Sequence, residues 1–260
     1  MYFQNGVDLY YEVHGQGDPL VLIAGLTAHS GHWPLQVPVF AEKRKIILMD
    51  NRNAGRSAVT QDGGIPVMAD DVAALMDKLG ISRADILGRS MGGYIAQEVA
   101  IRHPSRVRRL ILESTAPVSS VRNIMLFEHL LSLMERDHDQ RAVLAMFFLW
   151  ENSPSLMADP ELFAEALEDT MADPHAQPLE GFRHQVEAIR THDTRGRLDR
   201  ISAPCLIIGG AQDLLIPVEE QKDLVESIPD TRWVCLQGAG HGVHADQAER
   251  FNNAVLDFLA

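Results

Sequence analysis

Short runs of apolar residues recur along the chain, and most of them stop at glycine or at an acid. Residues 20–24 stop at Gly25, residues 45–49 at Asp50, residues 84–87 at Gly88 and residues 110–112 at Glu113. Residues 205–208 stop at Gly209, and residues 233–236 end just before Gly238. Runs this short, without polar alternation, predict strands buried on both faces. Residues 7–13 alternate instead and follow a turn at Asn5-Gly6, which predicts an edge strand.

Helical spacing fills the intervals. Met68, Val72, Leu75, Met76 and Leu79 share one helix face, residues 91–103 are apolar over most turns before Pro104, and Phe251, Val255, Phe258 and Leu259 form a terminal amphipathic stripe. Strands alternating with helices predict an α/β fold, a mostly parallel central sheet flanked by helices. The rhythm breaks over residues 117–196. There Ile124, Phe127, Leu131 and Met134, then Val143, Leu144, Phe147 and Phe148, then Phe182, Val186 and Ile189 keep helical spacing, and no strand pattern intervenes. The expected organisation is a core of residues 1–116 and 197–260 with residues 117–196 inserted as a helical cap, or lid.

Composition changes this picture little. The net charge of −13 over 260 residues disfavours nucleic acid and anionic membranes as partners. Cys205 and Cys235 both lie in apolar runs and read as small core residues, and no metal-type spacing of Cys or His occurs, so no metal is expected. No apolar run is long enough to span a bilayer, and the N-terminus lacks a basic stretch leading into an apolar one. A cytoplasmic location is the expectation.

The chemistry concentrates at Gly88-Arg89-Ser90-Met91-Gly92, between a predicted strand and a predicted helix. A serine in a sharp turn there projects its hydroxyl above the sheet, and glycines two residues to either side let strand and helix pass closely. The alternative is a tight turn whose serine only caps the helix. The segment Leu87-Gly88-Arg89-Ser90-Met91-Gly92-Gly93-Tyr94 resembles the nucleophile elbow of α/β-hydrolases. Asp50-Asn51-Arg52-Asn53-Ala54-Gly55-Arg56-Ser57, Gly209-Gly210-Ala211-Gln212-Asp213 and Gly240-His241-Gly242 resemble three further loops of that superfamily. The resemblance spans nearly the whole chain and implies a hydrolase similar to cofactor-free carboxylesterases and enol-lactone hydrolases, acting on a small-molecule ester or lactone without a cofactor.

Serine needs a base, and a histidine base needs a carboxylate. Among eleven histidines, His241 stands out between glycines just after a strand, late in the chain. Asp213 follows a buried run and is the expected acid, although it also suits an N-cap for a helix starting near Pro217, and Glu113 is a rival acid. The resemblance implies that the backbone N–H groups of Leu26 and Met91 form an oxyanion hole, and that Asp50 and Arg52 brace the nearby loop. His29 and Trp33 in the same loop, and Phe147 and Trp150 in the insertion, are candidate substrate contacts. Arg89, inside the elbow, is expected to pair with an acid beneath the nucleophile, and contact with an anionic substrate is the alternative. Carbon–carbon bond hydrolysis of a diketone, and a non-catalytic ligand receptor on the same fold, remain as alternative functions.

Overall fold

The apolar runs form the middle of one eight-stranded sheet. The computed structural model describes residues 1–136 and 138–260. Its strands are β1 (Tyr2–Gln4), β2 (Asp8–His14), β3 (Asp18–Ile23), β4 (Arg44–Met49), β5 (Ala84–Arg89), β6 (Val107–Glu113), β7 (Cys205–Gly210) and β8 (Thr231–Leu236). They lie in the order β1-β2-β4-β3-β5-β6-β7-β8. β2 is antiparallel to β1 and β4, and the other pairings are parallel. β2 is therefore not at the edge, as its alternation suggested. β1, only three residues long and too short for its period to be read, covers it.

The helices are α1 (Val37–Phe40), α2 (Ile65–Lys78), α3 (Met91–Arg102), α4 (Val121–Glu135), α5 (Gln140–Glu151), α6 (Pro154–Met157), α7 (Pro160–Met171), α8 (Leu179–Arg190), α9 (Val218–Ser227), α10 (Val243–Asp246) and α11 (Ala248–Phe258). Successive side chains of a strand point to opposite faces, so a doubly covered sheet has two cores. Val21 and Ile23 of β3 join Val72 of α2 and Val99 of α3 on one face, while Leu20 and Leu22 join Phe40, Phe251 and Val255 on the other. Both faces need apolar residues, which is why the central runs do not alternate. Cys205 is buried on β7, Cys235 is half-buried on β8, and both are free thiols. No helix among the described residues is long and apolar enough to cross a membrane.

Strand order reverses at β3. The chain passes from β3 to β4 on one side, then returns to β5 on the other. The carboxyl ends of β3 and β5 thus diverge into a crevice, the usual ligand position in an open α/β sheet. Between β6 and β7 the chain forms α4 to α8. An isolated bridge between Val118 and Asp193, and a hydrogen bond from Thr194 N–H to the Pro117 carbonyl at 3.0 Å, bring the two ends of this insertion together. α8 then docks on the core, where Gln185 Nε2 donates to the Arg52 carbonyl at 2.7 Å.

Candidate active site

Ser90 joins β5 to α3 in a conformation that side-chain-bearing residues rarely adopt, with φ 54° and ψ −119°. Such a residue costs roughly 1–3 kcal/mol and must be held in place. Its N–H donates to the Glu113 carbonyl at 2.9 Å, and its carbonyl accepts from Gly93 N–H at 2.8 Å and from Thr115 Oγ1 at 2.9 Å. The flanking glycines are required by space. A Cβ on Gly88 would lie 2.2 Å from the Gly92 carbonyl oxygen, and one on Gly92 would lie 2.1 Å from that of Ile23.

His241 and Asp213 are brought in by the ends of β8 and β7. His241 Nδ1 lies 2.9 Å from Asp213 Oδ2, with the imidazole 2% exposed and the carboxylate fully buried. That bond leaves Nε2 as the ring nitrogen available to the crevice, where Ser90 and His241 line one pocket. Asp213 is held twice more. Its Oδ1 accepts from Ile216 N–H at 2.9 Å, and Gln221 Nε2 on α9 approaches Oδ2 at 3.4 Å while donating to the Ile216 carbonyl at 2.6 Å. Asp213 does not cap α9, whose N-cap is Pro217 without a side-chain bond; its Oδ1 closes the turn before the helix while Oδ2 meets the histidine. Gln221 was not read from the sequence. Its one signal is a polar residue on the buried stripe of α9, beside Leu224.

Glu113 has a different partner. Its Oε1 accepts from His244 Nδ1 at 2.8 Å and from His244 N–H at 3.0 Å. Burial alone would raise this carboxyl, but His244 and the nearby Arg89 guanidinium hold it below the usual range. Arg89 finds its acid in the insertion. Its Nη2 donates to Oε1 of Glu151, the last residue of α5, at 2.5 Å. Glu151 is likewise lowered: burial opposes its ionisation, but Arg89 and His241 favour it. The Glu151 carbonyl also accepts from His241 N–H at 2.9 Å, so the end of α5 touches both the elbow and the histidine loop.

Leu26 and Met91 line the pocket with Ser90. Met91 opens α3, so its N–H is among those a helix cannot satisfy internally. Asp50 fastens the loop that carries Leu26. Fully buried, it accepts from Ser30 N–H at 2.8 Å and from Arg56 N–H at 2.9 Å, and those bonds overcome the effect of burial to lower its pKa. Arg52 reaches elsewhere, to Asp71 of α2 at 2.6 Å.

The four proposed substrate contacts are placed outside the pocket wall. Trp33, 1% exposed, packs in the core on the opposite sheet face with its ring 4.9 Å from that of His244. His29 is engaged by Asp173 Oδ2 at 2.8 Å and by Gly31 N–H at 3.0 Å. Phe147 packs on Phe127, with ring centroids 6.4 Å apart, and Trp150 lies beneath the Arg122 guanidinium. Residues missed in the sequence line the pocket instead: Tyr94, Ser119, Asn123, Phe127, Ile189 and Leu215. Burial raises the Tyr94 phenol, which keeps it neutral. Among the described residues, no group of three or more His, Cys, Asp or Glu side chains could hold a metal ion.

A strained serine at the switch point of a doubly covered sheet, sharing its pocket with a carboxylate-bound histidine, belongs to the class of hydrolases built on this fold. The chain is a member of the alpha/beta hydrolase fold family, whose model matches residues 18–248. It is similar along its length to the "Putative carbamate hydrolase RutD" of Rhizobium rhizogenes, at 29% identity over 96% of this chain and 97% of that one. A thermophilic esterase from Thermogutta terrifontis superposes with a TM-score of 0.86 at 26% identity, over 97% of this chain and 93% of that chain. The enol-lactonase from Burkholderia xenovorans LB400 superposes with a TM-score of 0.85 at 28% identity, over 100% and 99%.

Proposed function

We propose that the protein is a serine hydrolase that cleaves a small carboxylic ester or lactone through an acyl-enzyme. The observation that carries this reading is that Ser90, held in a strained elbow, shares one pocket with His241, whose Nδ1 is bonded to Asp213. His241 Nε2 takes the proton of Ser90 as Oγ attacks the carbonyl carbon. Negative charge then develops on the former carbonyl oxygen, facing the N–H groups of Leu26 and Met91. The tetrahedral intermediate collapses as His241 returns the proton to the leaving alkoxide. Water attacks the resulting acyl-Ser90, His241 again accepting the proton, and the acid is released with Ser90 restored. Asp213 fixes the imidazole tautomer and stabilises its charged form. These steps need no cofactor.

The esterase and enol-lactonase neighbours support the ester or lactone reading. The full-length likeness to relatives named as carbamate hydrolases supports a second one, in which the same steps pass through a carbamoyl-Ser90. A serine-directed fluorophosphonate tests what both share. It is expected to label the protein once, at Ser90, with Ser90→Ala abolishing the labelling and reducing p-nitrophenyl butyrate turnover by about 10⁴-fold or more. Unchanged labelling of Ser90→Ala would exclude this nucleophile.

A further inference from the structure

A short polar side chain in the first turn of a helix commonly bonds to local backbone or faces water. Asn123, in the first turn of α4, does neither. It is 2% exposed and lines the pocket beside Ser90. Its amide nitrogen donates to the Leu215 carbonyl at 2.6 Å. A carbonyl only accepts, so the nitrogen must be the atom facing Leu215, and the remaining atom is fixed in identity as Oδ1. Oδ1 is buried and has no donor in the protein. Phe127, Ile189 and Ile216 beside it bring apolar side chains, and the hydroxyls of Tyr94 and Ser119 in the same lining make no hydrogen bond to Oδ1. The pocket they line is narrow and open to solvent at its mouth. A buried acceptor left without a donor is costly, and a ligand group that supplies the donor relieves that cost.

We propose that Asn123 is a specificity-determining residue, whose Oδ1 accepts a hydrogen bond from an O–H or N–H on the part of the substrate held in this pocket. The protein would then select small carbonyl substrates carrying one such donor over apolar substrates of the same shape. This inference rests on the Ser90 hydrolase reading. It adds that the pocket wall carries an unfilled acceptor at Asn123.

Matched pairs of p-nitrophenyl esters test it. In the hydroxyl arm, 3-hydroxybutyrate is compared with 3-methylbutyrate, which exchanges O–H for a methyl group. In the amide arm, N-acetylglycinate is compared with 4-oxopentanoate, which exchanges N–H for CH₂. The wild type is expected to favour the donor-bearing member of at least one pair by about tenfold in kcat/KM. The arm that responds identifies the donor. Asn123→Leu should erase that preference, so that the kcat/KM ratio within the responding pair falls from about tenfold to about one. Asn123→Asp, which loses the amide nitrogen but keeps an acceptor, should retain the preference. No preference in either arm overturns the inference, and so does a preference that survives Asn123→Leu or disappears in Asn123→Asp. Hydrolysis of none of the four esters, with Ser90 unlabelled by the fluorophosphonate, would instead count against the hydrolase reading itself.

Discussion

Two buried histidine–carboxylate pairs stand within one loop of each other, and only one opens onto the crevice. His241 bonds Asp213 and lines the pocket with Ser90, whereas His244 bonds Glu113 and packs against Trp33 and Phe251. Asp213→Asn would still accept from Ile216 N–H but would present an N–H to the imidazole and favour the wrong tautomer. It is expected to reduce kcat by up to about 10⁴-fold with the thermal midpoint nearly unchanged. Glu113→Gln keeps an acceptor and loses the charge. It should cost about 1–3 kcal/mol in urea titrations while turnover stays within about threefold. A collapse of kcat in Glu113→Gln, with Asp213→Asn active, would reverse the assignment. The elbow was legible in the sequence because its glycine spacing is dictated by backbone contacts at Gly88 and Gly92. His241 and Asp213 were legible because each lies in the short loop that leaves the end of a strand, β8 at Leu236 and β7 at Gly210. The direction of loop side chains was not legible. Nothing local distinguishes Trp33, which turns into the core, from a residue at an entrance, or marks Asn123 as a buried polar contact.

At the level of elements, the end of α5 is the part of the insertion that meets both the elbow and the histidine loop. Glu151 pairs with Arg89, its carbonyl holds His241 N–H, and Ser153 Oγ donates to Asp246 Oδ1 at 3.0 Å. Removing one member of a buried ion pair leaves the other charge uncompensated, which typically costs 3–5 kcal/mol. Glu151→Ala is expected at or below the low end, about 2–3 kcal/mol, because the Glu151 side chain is 21% exposed and the Glu113 carboxylate still acts on Arg89. The double variant Arg89→Met with Glu151→Leu should recover most of that loss. Wild-type stability in Glu151→Ala would show that Arg89 needs no partner from α5. The four long helices of the insertion, α4, α5, α7 and α8, were legible because their stripes are three to four turns long, whereas the four-residue α6 was not. β1 and α1, at three and four residues, are shorter than any period that could reveal them. The Arg89–Glu151 contact joins positions 62 residues apart, so the sequence indicated an acid for Arg89 and not which one.

For the whole molecule, acid sensitivity follows from groups buried in one protonation state. His192, at the neck of the insertion, is 4% exposed and stacks on Tyr94 with ring centroids 4.7 Å apart. Its Nε2 is buried without a partner. Burial pushes its pKa down to about 4; Glu98 and Asp193 oppose this, and Arg197 assists it. The unfolded chain restores a value near 6.5. Between these values the unfolded state binds more protons than the folded one, so stability must fall as pH falls. The contribution of His192 is fully present above about pH 6.5 and is lost progressively toward about pH 4. It amounts to about 2 kcal/mol between about pH 7.5 and pH 5. His32, also lowered to about 4 by burial and by His29, adds a change of the same sign. The lowered carboxylates Asp50, Glu113 and Glu151 act in a separate window, because their stabilisation is lost only as they protonate below the ordinary carboxylate range. His192→Phe keeps a ring against Tyr94 and removes the titrating nitrogen. Urea midpoints measured at about pH 7.5 and about pH 5 should therefore differ less in His192→Phe than in the wild type, by about 2 kcal/mol after conversion to free energy. The same pH slope in both proteins would mean that His192 takes up its proton without unfolding, and the burial argument for it would fail.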